Sequence, residues 1–487
     1  MDQLTVADIL TSSARRFGGR PGATLDGETR TFGRLAEEAD RVAATLAAMG
    51  IGGGARVAWQ GEISLDAIAL HFGCAQVGAV LAPVNPNLGD DETRPMLDLA
   101  DPALVVTDGR PGGDAVLSDL VARPAPSRWR ASASHDEGDP QVMFFTSGST
   151  GEPKAVVLSN RTQRLRAMVE APSYPVGATV CMFPLFHMSG WTTALACWLA
   201  GEHVVFVTRP DAESLLGAID RHRGAHFYAI PAVWRRILEA DRTPYDLTSL
   251  RDANTGTSAT TPELLTAIVE TFPGTRTTIT YGSTEAGLAC KLGPEDLFAK
   301  PGSVGPPGIG VFATLDDDGQ LLVKSPYLMT GYYKNPGATE EALAGGWFHT
   351  GDLAERDHDG YYSIVGRAKD LIRTGGEYVA PAEVDAVVQA HSAVADGAVA
   401  GVPDADWARW SPPSSCCARA PPSTSTTCAG TASAAWRPTR CRAGWWWSRR
   451  SPGPRRPGRC SGGPWPGWPG AGTARPPEGE GRDGPGC

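Results

Sequence analysis

The stretch 142-VMFFTSGSTGEPKAVVL-158 places a turn rich in glycine and hydroxyl residues between two short apolar runs. The runs 142-VMFF-145 and 155-AVVL-158 are typical of buried strands. Glycines let backbone N–H groups close around an anion, hydroxyls add further donors, and Lys154 supplies a positive charge. The turn therefore predicts a phosphate site. A plain polar hairpin has the same composition, and the stretch does not match the G-x-x-x-x-G-K-[ST] pattern of P-loop NTPases.

Apolar strands alternate with helices on both sides of this turn. The spacing of apolar residues predicts helices at 31–50, 65–77, 90–99, 161–170, 190–199 and 212–223, and strands at 57–59, 79–82, 104–107, 178–182, 203–207 and 226–230. The N-terminus is also predicted to be helical, because it lacks the unbroken apolar run of a signal peptide. Strands separated by helices of this length indicate parallel sheets that are covered on both faces.

The sequence pattern changes after about residue 302, where short strands and Gly/Pro turns predict a small antiparallel β unit. The runs 383-EVDAVVQAH-391 and 394-VADGAVAGV-402 predict one helix and one strand of a further domain. We therefore expect an α/β protein. Its large N-terminal domain, 1–368, should contain two parallel-sheet lobes and a small β-barrel-like unit, and an incomplete α+β C-terminal domain should begin at 369–406.

The charge is unevenly distributed along the 487 residues. The whole chain carries a formal charge of −10, but the segment 408–487 holds 12 of the 44 basic residues and only three of the 54 acids. The remainder is therefore strongly acidic, which argues against nucleic-acid binding. No uncharged apolar run is long enough to predict a membrane span. We expect a cytoplasmic protein that binds small molecules.

Six ordered motifs resemble those of the adenylate-forming superfamily, which includes the AMP-forming acyl-CoA synthetases. The motifs are 145-FTSGSTGEPKAV-156, 183-FPLFHMSG-190, 255-TGTSA-259, 281-YGSTEAG-287, 346-GWFHTGD-352 and 366-GRAKDLIRTGGEYVAPAEVD-385. The resemblance covers the chain up to about residue 402. It implies a ligase that uses ATP and Mg²⁺ to convert a carboxylic acid into an acyl-adenylate, and then transfers the acyl group to CoA.

The resemblance also assigns roles to individual residues. It implies that the β- and γ-phosphates contact Thr146, Ser147, Gly148, Ser149, Thr150, Gly151 and Lys154. Thr284 would contact the α-phosphate and Glu285 would hold Mg²⁺. Tyr281, followed by Gly282, would stack on adenine opposite Gly256, Thr257 and Ser258. Asp352 would bind the ribose hydroxyls, with Arg367 beside it. Lys369 would be the hinge of the small domain, and Gly375 and Gly376 would line the entry of the thiol.

The acyl pocket is less sharply defined by the sequence. The resemblance places His187 at the gate of this pocket, although a lone His beside Phe186 and Met188 is also common in a protein core. The stretch 187-HMSGWTTALACW-198 lacks the acid that amino-acid-activating relatives use for the substrate ammonium, so we expect an acid without an α-amino group. Trp191, Tyr228 and Trp234 are bulky candidates for the pocket wall, or they belong to the core.

The segment 407–487 lacks the composition of a folded domain. From Ala408 onward it has no Leu, Ile, Val, Met, Phe, Tyr or Lys, so it has almost no aliphatic side chains to bury. Its six Cys residues show no C-x-x-C pair and no His partner for zinc. A nucleic-acid tail and a disordered linker both fit poorly with its Trp residues.

A lost base in the coding sequence explains this segment. One G inserted before the codon of Ala408 permits 408–418 to be read as G-E-V-V-A-A-F-V-V-L-R, an apolar strand. The same frame permits 450–468 to be read as L-P-R-T-x-x-A-G-K-V-L-R-R-A-L-A-G-L, which resembles the family's C-terminal segment and contains its lysine. We hypothesise that the reading frame shifts near Trp407.

Two other functions remain open from the sequence. An acyl-adenylate ligase that loads the phosphopantetheine of a carrier protein would carry the same motifs. A nucleotide-binding protein with impaired turnover would result if the chain works without the C-terminal lysine. The sequence alone does not identify the acid.

Overall fold

The computed structural model describes residues 5–124, 136–147, 152–374 and 377–379, and the isolated positions 381, 384, 399 and 408–409. The described residues lie within one compact unit that spans 1–445. Predictions for Gly148, Ser149, Thr150, Gly151, Gly375 and Gly376 lie outside the described residues. The boundaries at 368 and 407, the small domain and the shifted reading frame stay predictions.

The first sheet holds eight strands, in the order β14-β13-β12-β11-β9-β10-β1-β2. Their bounds are β1 Pro21–Leu25, β2 Glu28–Thr31, β9 Ala178–Cys181, β10 Val204–Phe206, β11 Gly224–Ala229, β12 Asp252–Gly256, β13 Ile279–Ser283 and β14 Gly287–Leu292. The six central strands, β13, β12, β11, β9, β10 and β1, are parallel to one another. The edge strands β2 and β14 pair antiparallel with β1 and β13. The parallel centre places several strand carboxyl ends along one edge of the sheet.

The second sheet holds seven strands, in the order β17-β8-β7-β4-β3-β5-β6. Their bounds are β3 Arg56–Gln60, β4 Val80–Val84, β5 Leu104–Thr107, β6 Ala115–Val116, β7 Pro140–Ser147, β8 Pro153–Ser159 and β17 Gly331–Tyr332. The strands β7, β4, β3, β5 and β6 pair parallel, as predicted for this lobe, whereas β17 and β8 pair antiparallel at one edge. The strands β7 and β8 pair antiparallel, with Thr146 opposite Lys154, because the short turn between them cannot make the crossover that parallel strands require.

Helices cover the two sheets and fill the space between them. Their bounds are α1 Ala7–Phe17, α2 Phe32–Ala48, α3 Leu65–Val77, α4 Asp90–Ala100, α5 Leu117–Ala122, α6 Asn160–Glu170, α7 Met188–Ala200, α8 Ala212–His222, α9 Pro231–Glu239, α10 Pro262–Thr271 and α11 Pro336–Ala342. Every residue of α3 except Asp66 is buried, and α3 contacts strands of both sheets. A helix that is apolar on all faces must be enclosed by its neighbours. It therefore lies in the shared core between the lobes.

A third sheet is antiparallel, as predicted for the chain after residue 302. It consists of β15 Phe312–Leu315, β16 Gln320–Lys324, β18 Phe348–Arg356 and β19 Tyr362–Arg367. A small fourth sheet consists of β20 Ile372–Thr374, β21 Glu377–Val379 and β22 Ala408–Arg409. Among the described residues, no helix has the length and apolar character needed to cross a membrane. The α/β fold with a separate small β unit is confirmed.

Candidate active site

Asp352 is the centre of a hydrogen-bonded cluster on the third sheet. It lies on β18 opposite Arg367 of β19 and is only 6% exposed. Its Oδ1 forms an ion pair with Arg367, whose Nε lies 2.9 Å away, and its Oδ2 accepts a hydrogen bond from the Tyr281 hydroxyl at 2.5 Å. Burial and then the charge of Asp352 raise the pKa of Tyr281, so this hydroxyl stays protonated and keeps donating.

The cluster joins three residues that the sequence motifs assign to the nucleoside. Tyr281 comes from β13 of the first sheet, whereas Asp352 and Arg367 come from the third. Gly256 ends β12 beside Tyr281, and a Cβ at this position would lie 2.3 Å from the carbonyl oxygen of Thr280. Thr257 adopts a positive φ of 68°, which is uncommon for a β-branched residue and clusters at functional sites. Ser258 is exposed beside them.

Glu285 belongs to a second cluster of side chains and lies in the turn between β13 and β14. Its Oε1 accepts a hydrogen bond from the Tyr332 hydroxyl at 3.1 Å, and the Tyr332 ring lies 4.7 Å from Lys154 Nζ, a cation–π distance. Burial and then the charge of Glu285 raise the pKa of Tyr332. Tyr332 thus connects the predicted metal ligand to the predicted phosphate lysine, and sequence reasoning missed it.

Arg166 binds the backbone of the turn that carries Thr284 and Glu285. It is 2% exposed, and its guanidinium donates to the carbonyl oxygens of Thr284, Glu285 and Tyr327 at 3.0 Å each. The Met329 N–H also donates to the Glu285 carbonyl, at 2.8 Å. A buried guanidinium with several carbonyl partners is costly to displace. It therefore holds the turn that carries Thr284 and Glu285 in one conformation.

The carboxylate of Glu285 is a suitable ligand for a hard cation. Magnesium is usually held by one or two carboxylates together with phosphate oxygens of the substrate. The Glu285 side chain is partly buried, and Tyr332 is its hydrogen-bond donor. Lys154 and Thr146 lie at paired positions of β8 and β7. The described residues therefore fit a nucleotide phosphate group with its metal ion.

A cavity of about 140 Å³ lies next to Tyr281 and Thr257. Most of the side chains around it are polar. It is lined by Glu170, Ser173, Tyr174, Met188, Ser189, Thr192, Thr193, His226, Tyr228, Asn254, Thr257, Thr278, Thr280, Tyr281, Gly282, Gly287, Leu288 and Lys291. Tyr228 belongs to this wall, as its predicted pocket role requires. His187 does not line the cavity. It is exposed immediately before Met188 and Ser189.

Trp191 and Trp234 do not line this cavity. Both are 0% exposed. Trp191 stacks on His71 at 3.9 Å between ring centroids and donates its indole N–H to the Leu185 carbonyl. Trp234 donates to the Asn254 carbonyl. A bulky aromatic residue in a helix is compatible with either environment, and the sequence does not distinguish the core from a pocket wall.

Replacing Trp191 with Ala should therefore lower stability and leave substrate choice unchanged. Removing a fully buried Trp costs about 3–5 kcal/mol, because its contacts and apolar burial are lost. The free energy of unfolding can be measured by urea denaturation. The matched control is Trp347→Ala, since Trp347 is only partly buried. An altered preference among acids at unchanged stability would contradict this placement.

Replacing Asp352 with Asn should weaken AMP binding about ten- to a hundredfold. A hydrogen bond that involves a charged group contributes about 1.5–3 kcal/mol, and the neutral amide loses the charge that pairs with Arg367. Isothermal titration of AMP measures the dissociation constant. Asp357→Asn is the control, because Asp357 is exposed and pairs with Lys300 instead. Equal affinities for the two variants would argue against a ribose role for Asp352.

Comparison with known proteins agrees with this arrangement. Residues 10–333 match the family model of the AMP-binding enzymes. A probable CoA ligase of Humulus lupulus is 29% identical over 83% of this chain and 85% of its own length. A feruloyl-CoA synthase of Amycolatopsis is 31% identical over 81% of this chain and 85% of its own.

A solved structure shows the same fold with ligands. The o-succinylbenzoate CoA synthetase of Bacillus subtilis, in complex with ATP and a magnesium ion, has a TM-score of 0.75 and 25% identity. The match covers 82% of this chain and 87% of that one. The fold and the site define an AMP-forming acid–thiol ligase. The chain belongs to the AMP-binding enzyme family, which confirms the resemblance to adenylate-forming enzymes.

Proposed function

We propose that the protein is an AMP-forming acyl-CoA synthetase that uses Glu285 to hold Mg²⁺ on ATP. The observation that carries the proposal is that the motif residues form two side-chain clusters, one around Tyr281 of β13 and one around Glu285, which follows the end of the same strand. Tyr281, Asp352 and Arg367 form the first cluster. Glu285, Tyr332 and Lys154 form the second. The relatives reported above, which are CoA ligases by name, support the proposal.

The first half-reaction joins the acid to AMP. A carboxylate oxygen attacks the α-phosphorus, the bond from that phosphorus to the bridging oxygen breaks, and pyrophosphate leaves. Phosphoryl transfer of this kind depends on positioning and charge neutralisation. Lys154 and Thr284 would contact phosphate oxygens, while Asp352 and Tyr281 would hold the nucleoside. A bound magnesium ion would supply further positive charge at the phosphates.

The second half-reaction consumes the acyl-adenylate. The thiol sulfur of CoA attacks the acyl carbon, the bond from that carbon to the AMP oxygen breaks, and AMP leaves with the electron pair. We propose that Lys369 is the hinge for this step and that Gly375 and Gly376 line the thiol entry. Lys369 is exposed directly after β19, a position that suits a hinge. We also propose a cytoplasmic location, where ATP and CoA are both supplied.

Pyrophosphate exchange with a panel of carboxylic acids tests the first half-reaction. CoA-dependent release of AMP, measured without any carrier protein, tests the second. Exchange with at least one acid and AMP release with CoA alone are the expected results. Exchange followed by AMP release only with a phosphopantetheinylated carrier would favour the carrier-loading alternative. A protein that binds ATP and supports neither step would overturn the proposal.

A further inference from the structure

The cavity beside the adenylate site has a polar deep end. Tyr228 lies near the carboxyl end of β11 and Thr280 near the start of β13, and their hydroxyls are hydrogen-bonded at 3.1 Å. His226 and Thr278 lie two residues earlier in the chain. Two residues of a strand span roughly 7 Å. The cavity therefore extends from the layer of Tyr228 and Thr280 to a second layer, formed by His226 and Thr278, roughly 7 Å deeper.

The hydrogen bonds of Asn254 fix the tautomer of His226 in this deeper layer. The Thr278 backbone N–H donates to Asn254 Oδ1 at 2.9 Å, so the amide NH₂ of Asn254 faces His226 Nε2 at 3.1 Å. Nε2 must then accept. Burial, followed by the charges of Lys291 and Arg276, lowers the pKa of His226 to about 3. The neutral ring therefore carries its proton on Nδ1.

Among the residues that the structure describes, none accepts a hydrogen bond from His226 Nδ1. The residue is only 4% exposed, and Nδ1 is among the buried polar atoms without a partner in the described part of the chain. Buried donors are normally satisfied by protein or water, and an exception calls for an explanation. Since His226 lines the cavity, a ligand group that accepts a hydrogen bond is one such explanation.

Glu170 and Lys291 line the same cavity. Glu170 ends α6, and Lys291 lies on β14 opposite Thr280. Both side chains are partly buried, and neither forms an ion pair within 4.0 Å among the described residues. Burial raises the pKa of Glu170 to about 7 and lowers the pKa of Lys291. Glu170 therefore offers a hydrogen-bond acceptor, and Lys291 a donor, to a ligand in the cavity.

We propose that this deep end selects a short carboxylic acid whose far end carries a hydroxyl group. The inference rests on the proposed function, because it assigns the substrate class of the same site. A hydroxyl can donate to Glu170 while it accepts from Lys291 or from His226 Nδ1. An alkyl end would leave these polar groups without partners, which is unfavourable in a buried site. A second carboxylate would pair with Lys291 but would also face Glu170.

The size of the cavity limits the length of the acid. A cavity of about 150 Å³ is known to accommodate a benzene ring, and the cavity here is about 140 Å³. A single ring with a hydroxyl opposite its carboxyl group spans a distance close to the two strand residues between the layers. The size therefore narrows the proposed class to short or single-ring hydroxy acids.

Binding of stable acyl-adenylate analogues to the full chain tests this proposal without requiring turnover. Three acyl-sulfamoyl adenosines are compared by isothermal titration, and they carry para-hydroxybenzoyl, para-methylbenzoyl and para-carboxybenzoyl groups. We expect the hydroxyl compound to bind at least about tenfold more tightly than the methyl compound. Equal or tighter binding of the methyl compound would overturn the hydroxyl assignment, and so would tightest binding of the carboxyl compound.

Variants identify the groups responsible for the selection. Lys291→Met and Glu170→Leu should each reduce the preference for hydroxyl over methyl, because each removes a polar partner of the hydroxyl and the cost of burying the methyl group against it. Lys324→Met is the control, because Lys324 is exposed on β16 and does not line the cavity. An unchanged preference in both cavity variants would refute the assigned groups, even if the wild-type preference is present.

The same titrations separate this inference from the proposed function. A chain that binds neither AMP nor any of the analogues would refute the proposed function itself. A chain that binds AMP and all three analogues equally would refute only the selection of a hydroxyl group. Binding of AMP with no binding of any analogue would overturn both the size and the polarity of the proposed acyl site.

Discussion

Replacing Glu285 with Gln should lower the rate of pyrophosphate exchange about a hundred- to a thousandfold at saturating ATP and acid. Removing one preorganised group that stabilises transition-state charge has an effect of this size. Gln keeps the shape and a hydrogen-bond acceptor for Tyr332, but it loses the negative charge that a magnesium ligand needs. The measurement is the exchange rate as a function of magnesium concentration.

Two further variants show whether the loss comes from the metal ligand itself. Glu340→Gln is the control for charge, because Glu340 is exposed on α11, and it should keep the wild-type rate. Tyr332→Phe removes the hydrogen bond to Glu285 but keeps the ring over Lys154, so we expect a much smaller loss. If Glu285→Gln retained wild-type exchange with an unchanged magnesium dependence, Glu285 would not be the ligand.

Restoring the reading frame should raise the adenylation rate by a similar factor. A chain expressed with one G inserted before codon 408 would regain the lysine that the family resemblance places near the C-terminus. That lysine would neutralise charge between the carboxylate and the α-phosphate, and the gain should be about a hundred- to a thousandfold. Single-turnover formation of the acyl-adenylate measures the rate of this step directly.

The affinity for AMP should change little in the same experiment, because the residues assigned to the nucleotide all precede Lys369. A chain that ends before codon 408 is one control, and it should be as slow as the present chain. A frame-restored chain with Ala in place of the new lysine is the second control. Equal rates for the restored and present chains would refute the frame hypothesis as an explanation of function.

The alternation of strands and helices was predictable because apolar periodicity reports directly which face of an element is buried. The predicted helix 65–77 matches α3 Leu65–Val77, and the predicted strand 104–107 matches β5 Leu104–Thr107. The antiparallel pairing of β7 and β8 was not predicted, since strand direction depends on the length of the connecting turn and not on periodicity. The sequence therefore predicts elements more reliably than their pairing.

The site was predictable where a motif carries its chemistry in consecutive residues. Asp352 and Tyr281 lie within such motifs, and the structure joins them by a hydrogen bond and pairs Asp352 with Arg367. Tyr332 and Arg166 act through contacts with residues far away in the chain. An aromatic residue after a Gly turn, or an Arg in a helix, gives no local sign of such a contact. Their roles become visible only when the sheets are assembled.

The short strand β17 connects distant parts of the chain at the cluster of Glu285, Tyr332 and Lys154. Its residues Gly331 and Tyr332 pair with Val157 and Val156 of β8, and Tyr332 contacts both Glu285 and Lys154. Opening a two-residue strand requires far less free energy than unfolding either large sheet. Mild heating should therefore inactivate the enzyme reversibly while its circular dichroism spectrum is still that of the folded protein.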